Sequence, residues 1–384
     1  MRYLSAVALS ALTAVSVGGQ NAAAPIEVRN PSRVDTISIA SRRLALGAES
    51  DFLRVTAILP RADGHFIVAN SGTSELRFYD RSGRRYTTVG RRGQGPGEYQ
   101  RIQSAGWLKN DSIAVFDPGA RRISVLGPTG EFARSIALTP PFDGGGAPTS
   151  MVPLLTGTLL IGFSEIQRMA PQPAPSYFRQ RVFQYSSAGE ILDSTGWSFA
   201  SSEHFVQATV PSMGGVAYWN LAFGRVMTLR PDSSTVLAGD GTDWTVDRIL
   251  PNGTTTTRYR VQRPVAAVTE ADKDTYRRNA LEGAQGQQRE VAERMGREMP
   301  FPARKPAYRR FEPDHSGRIW LETYPEYGDV RTVWLRIDPR ERNAIAVLWP
   351  PGFRPLAFRG SLAYGIWRDQ DDVEHLHVYA IRDR

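Results

Sequence analysis

Residues 66–83 read Phe66-Ile-Val-Ala-Asn70-Ser-Gly-Thr-Ser-Glu-Leu-Arg-Phe-Tyr-Asp80-Arg-Ser-Gly83. A continuous apolar run ends on Asn70, a short polar loop follows, a second run ends on Asp80, and Gly83 marks a tight turn. Two antiparallel strands and the start of a third account for this order. The phrase recurs. Ile113 to Asp117 leads to Arg122 through Leu126 and Gly130, and Thr235 to Asp240 leads to Thr245 through Leu250 and Gly253. In all three copies the polar residue closing the first strand stands thirteen residues before the turn glycine. A fixed interval of this kind is an internal repeat, and its unit is a β-meander. Looser copies pair Thr158–Phe163 with Arg181–Tyr185, Asp314–Glu322 with Thr332–Asp338, and Ser361–Trp367 with Glu374–Tyr379, which brings the units to six. The first of these is split by an insertion over 164–178 that carries Pro171, Pro173 and Pro175.

Strands apolar at nearly every position are buried on both faces. In a ring of meanders the strand wedged between neighbouring blades meets that condition, so Phe66–Asn70 and its equivalents are expected innermost. The predicted fold is all-β: a six-bladed β-propeller of four-stranded antiparallel blades spanning 25–384 as a single domain. Alternating Val34, Ile37, Ile39 and Leu44 in the segment Arg33 to Leu46 are expected to close the ring against the final blade, which removes exposed sheet edges. A helical insertion interrupts the pattern at about 269–299. Thr269 with Asp272 three residues later forms a variant capping box, and a second helical stretch runs from Gln287 to Glu298. Its apolar stripe is thin, so the hairpin is expected to rest on the propeller between blades four and five and to flank one mouth.

Val68 to Gly83 resembles an NHL repeat. Gly90-Arg-Arg-Gly93-Gln-Gly95-Pro96-Gly97-Glu98-Tyr99 is similar to the glycine-proline blade connection of exported bacterial six-bladed propellers. The resemblance is good over 55–135 and looser beyond. It implies the fold and says little about activity, because propellers host unrelated functions.

Residues 1–24 have the layout of a signal peptide: Arg2, an apolar stretch from Ala6 to Val17, then small residues ending in Ala22-Ala23-Ala24. The apolar run is shorter than the roughly 20 residues a membrane-spanning helix needs. The expectation is a periplasmic or secreted protein with no stable membrane span after processing. The chain has no cysteine, which excludes disulfides, thiolate metal sites and thiol nucleophiles. Its net charge of +8 rests on arginine, with lysine only at 109, 273 and 305. An exported chain rarely meets nucleic acid, so the arginine pairs are read as solvated loop and strand-edge charge.

Asn70, Asp117, Asp240 and Glu322 occupy equivalent strand ends. If those strands ring the axis, the four oxygens meet at one mouth, where hard cations such as Ca²⁺ take several oxygen ligands. In residue type only, this is similar to the central metal site of six-bladed lactonases. Asp and Asn at such positions also turn the chain and cap local amides. His375 and His377 alternate on a strand and share a face, an arrangement that ligates zinc when a third ligand arrives, while His65 and His315 sit in turns. Tyr324, Tyr327 and Trp367, with Trp219 and Tyr364, are candidates for stacking on a peptide or glycan, or for blade packing. The Gly90–Gly97 string opens no helix and reads as a turn rather than a phosphate cradle.

Two functions follow: an extracytoplasmic binding or interaction protein for a peptide, glycan or partner protein, or a metal-assisted, lactonase-like hydrolase or lyase working at the channel mouth. The channel separates them. Converging carboxylates without basic partners favour a metal; an apolar or arginine-filled channel favours binding.

Overall fold

The computed structural model describes residues 24–32, 36–39, 41–47, 50–142, 146–165, 179–200, 205–210, 215–220, 222–224, 227–324 and 333–381. Three short strands come first: β1 (Ile26–Val28), β2 (Thr36–Ser38) and β3 (Arg42–Leu46). Blade 1 is then β4 (Val55–Pro60), β5 (Phe66–Asn70), β6 (Glu75–Tyr79) and β7 (Arg85–Val89). Blade 2 is β8 (Ser104–Trp107), β9 (Ile113–Asp117), β10 (Arg122–Leu126) and β11 (Phe132–Ala137). Blade 3 is β12 (Pro148–Pro153), β13 (Leu159–Glu165), β14 (Arg179–Tyr185) and β15 (Ile191–Ala200), followed by a hairpin of β16 (Phe205–Val210) and β17 (Gly215–Asn220). Blade 4 is β18 (Thr228–Asp232), β19 (Thr235–Gly239), β20 (Thr245–Ile249) and β21 (Thr255–Val261). The helices α1 (Glu270–Leu281) and α2 (Gly286–Glu298) precede blade 5, which is β22 (Tyr308–Pro313), β23 (Ile319–Thr323), β24 (Val333–Asp338) and β25 (Asn343–Leu348). Blade 6 is β26 (Phe353–Arg359), β27 (Leu362–Arg368) and β28 (Glu374–Ala380), completed by β3.

Within each blade hydrogen bonding follows chain order. The strands touching across the axis are β4, β8, β12, β18, β22 and β26, each against the next, and β26 closes on β4. This corrects the expected position of Phe66–Asn70 and its equivalents, which are second in their blades. The physical reason lies in the edges. A second strand has both edges paired and both faces against neighbouring blades, and β5 and β9 are buried at all five positions. An innermost strand keeps one edge on the channel, where a missing N–H is tolerated, and Pro60, Pro153, Pro231, Pro313 and Pro355 stand in such strands.

Six apolar clusters fill the six gaps between blades. Between blades 1 and 2, for example, Ile67, Leu76 and Phe78 meet Tyr99, Ile113 and Val115. Burying each such side chain contributes about 1.5–3 kcal/mol. The repeated turn glycines sit where the chain needs positive φ, +85° at Gly83 and +95° at Gly130.

The N-terminal strands run along the outside of three consecutive blades. β1 joins β21 in parallel, β2 joins β25 in parallel, and β3 joins β28 antiparallel. Each also sends apolar side chains into a gap: Val28 between blades 4 and 5, Ile37 and Ile39 between 5 and 6, Leu44 and Leu46 between 6 and 1. The expected closure of Arg33 to Leu46 on the final blade is made by β3; the same segment also straps blade 5 through β2, and β1 before it straps blade 4, neither of which the sequence indicated.

A four-stranded meander enters and leaves at the same end, so every blade-to-blade connection and every loop between second and third strands lies at one mouth of the channel. The opposite mouth has only tight turns. The helical insertion lies at the connection mouth, between blades 4 and 5 as expected. Thr269 and Asp272 form a reciprocal capping box at the start of α1. Asp272 is buried against Lys305 at 2.7 Å, and the two ends of the insertion pair through Ala267 and Arg304. Met295 of α2 and Met299, its C-cap, pack on Ala222 and Phe223, so the hairpin rests on the segment entering blade 4.

Candidate binding channel

The six inner strands enclose a channel of about 1350 Å³. β-Bulges between Tyr308 and Arg310 and between Pro355 and Ala357 interrupt the inner strands of blades 5 and 6. A bulge re-aims side chains, and here both fall near the connection mouth beside arginines. The wall divides chemically. Blades 1–3 contribute mainly uncharged groups, Thr56, Gln103, Ser104, Thr149, Ser150 and Gln180, with Arg101 as a single cation beside Gln103, whereas blades 4–6 contribute Arg230, Arg310, Glu312, Arg354 and Arg359.

The charged groups form a chain across blades. Arg230 grips Glu312 with two hydrogen bonds, Nε to Oε2 at 2.7 Å and Nη2 to Oε1 at 2.8 Å, joining blade 4 to blade 5. Arg310 donates Nε to Glu322 Oε2 at 2.6 Å, Nη1 to Glu312 Oε1 at 3.4 Å and Nη2 to the Pro355 carbonyl at 2.8 Å, joining blade 5 to blade 6. The pairing with Glu312 outweighs burial and raises the pKa of Arg230. Arg354 differs. Its side chain opens into the channel, and burial with the Arg310 and Arg368 guanidinium groups lowers its pKa, only partly offset by Glu322 and Glu312. On the mainly uncharged wall, Gln103 Nε2 donates to the Thr149 carbonyl at 2.7 Å and Ser150 faces Gln180 at 3.5 Å.

The four oxygen residues do not come together. Asn70 is fully buried; its Oδ1 accepts from Leu53 N at 2.8 Å, and its Nδ2 donates to the Asp51 carbonyl and to Thr73 Oγ1. Asp117 is equally buried and accepts from the amides of Gln100, Arg101 and Ala120. Asp240 accepts from Thr242 N and Oγ1. Glu322 is held by Arg310. The expected ring fails because these residues end second strands, where the chain turns and free amides need acceptors. Among the described residues no group of three or more His, Cys, Asp or Glu is disposed to hold a metal ion.

Tyr324 and Trp367 are off the channel wall. Tyr324 packs near Phe223 at the base of the helical insertion, with Arg309 over its ring. Trp367 stacks on His377 at 5.3 Å and donates Nε1 to the Pro351 carbonyl. Trp367 belongs to a second strand and packs within its blade, while Tyr324 follows a second strand and packs toward the insertion. Tyr327 and the side chain of Trp219 lie outside the described residues, and Tyr364 is buried against Phe66. His375 and His377 share a face as expected, but His375 Nε2 meets Asp369 Oδ2 at 2.7 Å while His377 is buried, its pKa lowered to about 4 by burial, Arg42 and His375. His315 lines the turn mouth and accepts from Gly360 N through Nδ1. Unbroken hydrophobicity singles out the second strands, so the sequence pattern does not point to the channel arginines on the first ones. The prolines of the preceding strands and the alternation Arg310-Phe-Glu312 were the available signals.

Residues 44–140 match a family model described as a 6-bladed beta-propeller. No curated protein matches the sequence. The structure is similar to that of a protein described as exported from Bacteroides fragilis, with 12% identity, 94% of this chain and 100% of that chain covered, and a TM-score of 0.51. It is also similar to a member of the DUF4221 family from Bacteroides vulgatus, with 10% identity, 90% and 97% covered, and a TM-score of 0.52. No helix of the described residues is long and apolar enough to cross a membrane. By sheet order, by its complete ring of inner strands and by these likenesses of fold, the chain is a six-bladed β-propeller.

Proposed function

We propose that the protein is an extracytoplasmic binding protein that takes part of a peptide, glycan or partner protein into the connection mouth of its channel. The observation that carries this reading is the engagement of the channel carboxylates. Glu312 and Glu322 direct their oxygens at Arg230 and Arg310, so the wall offers guanidinium groups and neutral amides and hydroxyls. A hard cation is bound by oxygens free to converge on it, whereas this surface suits hydrogen-bonded recognition. Long connections gathered at one end of a rigid scaffold are also where binding residues concentrate.

The test uses the purified protein on peptide and glycan arrays beside Thr56→Trp, which narrows the channel from blade 1. Binding lost in Thr56→Trp with an unchanged melting temperature supports the reading. Stoichiometric Ca²⁺ together with lactone or ester hydrolysis abolished by chelation would overturn it. Periplasmic or secreted location belongs to the same proposal, and mass spectrometry from the native host checks it. A chain lacking its first 18 to 24 residues, outside the cytosol, is the expected species.

A further inference from the structure

We propose that the ligand carries an anionic group, carboxylate or phosphate, and that Arg354 of β26 is the residue that grips it. This rests on the binding reading and names the chemistry of its ligand. Arg354 precedes the Pro355 whose carbonyl receives Arg310, both arginines line the channel, and the Arg310 charge acts on Arg354. Each nitrogen of Arg310 already has a protein partner, Nε in Glu322, Nη1 in Glu312 and Nη2 in the Pro355 carbonyl, so its charge is largely answered within the wall. The other neighbouring cation, Arg368, is paired with Asp372 at 2.9 Å and Glu374 at 2.8 Å. Of the three arginines gathered here, Arg354 is the one that makes no hydrogen bond or ion pair with any described residue, and it is exposed to the channel; Arg359, also without such a partner, stands at the other end of β26.

A guanidinium stays charged at every physiological pH. Here it stays charged where protein walls and two further cations disfavour the charge, and the depressed pKa records that cost. An incoming anion removes it. The planar fork of Arg354 matches a carboxylate or a phosphate with two parallel hydrogen bonds. The mainly uncharged wall of blades 1–3 across the channel, where Arg101 is the one cation that lines it, meets the remaining body of the ligand. At about 1350 Å³ the channel exceeds the roughly 300–1,000 Å³ of ordinary small-molecule pockets, so the anion is one part of a larger molecule.

The experiment titrates the purified protein with succinate, succinamide and inorganic phosphate at constant ionic strength, by calorimetry and thermal shift. Succinate or phosphate is expected to bind saturably and at least tenfold more tightly than succinamide, and whichever of the two binds more tightly names the source of the anion. Arg354→Gln is expected to lose at least tenfold in that affinity. Its ligand-free melting temperature should hold or rise, because a crowded cation has gone. Arg85→Gln, on the outer strand β7, should leave binding unchanged. Absence of saturable anion binding at millimolar concentration, equal binding of succinate and succinamide, or undiminished binding by Arg354→Gln overturns the inference. An array ligand lost in Thr56→Trp but retained in Arg354→Gln overturns the anion while leaving the binding reading in place. Chelator-sensitive hydrolysis overturns the reading itself.

Discussion

Blades 1–3 and blades 4–6 are built from the same meander and stabilised differently. In the first half each outer strand, β7, β11 and β15, ends its sheet, and the channel wall is mainly uncharged, with Arg101 as its one lining cation. In the second half β1 and β2 extend two sheets and β3 completes the third, while Arg230, Glu312, Arg310 and Glu322 link inner strands from blade 4 to blade 6. The gap between blades 5 and 6 is aromatic, with Trp320 stacked on Phe358 at 4.2 Å and Trp334 and Trp349 around them. Local repetition therefore specifies the first half, and residues distant in sequence lock the second. The family-model match over 44–140 covers the end of β3 with blades 1 and 2, the regular end of the molecule.

The harshest way to break this contrast is to remove residues 25–46. Blade 6 then loses its fourth strand, and three gaps lose Val28, Ile37, Ile39, Leu44 and Leu46. Unpaired edges also invite aggregation. The expected product is insoluble or rapidly proteolysed, with cleavage concentrated in blades 4–6. A truncated chain as heat-resistant as the intact one would show that the straps are ornamental.

A smaller lesion compares the two channel walls. Glu312→Gln leaves Arg230 without its carboxylate and weakens the contact to Arg310; the pair is half-buried, so its loss should cost about 2 kcal/mol, between the surface and the fully buried cases. Gln103→Ala on the mainly uncharged wall removes the hydrogen bond to Thr149 and should cost about 1 kcal/mol. Urea denaturation of both variants measures the difference. Equal losses would mean that the charged wall adds nothing to cohesion.

How far the sequence reveals these features follows the same division. Blade count, the capping box at Thr269 and closure by β3 were all legible, because each depends on a local pattern or on one amphipathic strand. Strand position was misread. Unbroken hydrophobicity marks burial on two faces, and second strands satisfy that better than the channel-edged first ones. From that error came the expected ring of Asn70, Asp117, Asp240 and Glu322. The ion pairs were illegible for another reason: Arg230 and Glu312 are 82 residues apart, and nothing in either neighbourhood announces the other.

Acid should loosen the strapped half selectively. His377 faces Ala45 of β3, stacks on Trp367 and is buried, with Arg42 and His375 as the charged and titratable groups that lower its pKa to about 4. Its native value lies below the ordinary 6.5, so the folded state binds the proton less readily than the unfolded one. The stability it contributes is complete above pH 6.5 and is lost as the pH falls from there toward 4, by up to about 3 kcal/mol. His377→Phe keeps an aromatic ring for the stack and cannot titrate. Over that pH range it should lose less stability than the wild type, and hydrogen exchange should locate the wild-type opening at β3 and β28. Parallel pH profiles for the two proteins would refute the assignment.

The mildest test asks whether the helical insertion shares the rigidity of the half that carries it. Thr269 Oγ1 accepts from Asp272 N at 3.2 Å, and Asp272 Oδ2 accepts from Thr269 N at 2.9 Å. Asp272 also holds Lys305 at the far end of the insertion, and Lys305 lies over the ring of Phe223. The cap thus starts a helix and ties its root to the blades at once. Thr269→Ala removes one arm of the box and should cost about 1 kcal/mol. If the insertion is rigidly joined, that cost appears as a small shift of the global unfolding midpoint. If it opens on its own, amide exchange in α1 speeds up while the midpoint stays fixed, and the insertion is then a separately moving cover over the mouth that Arg354 lines.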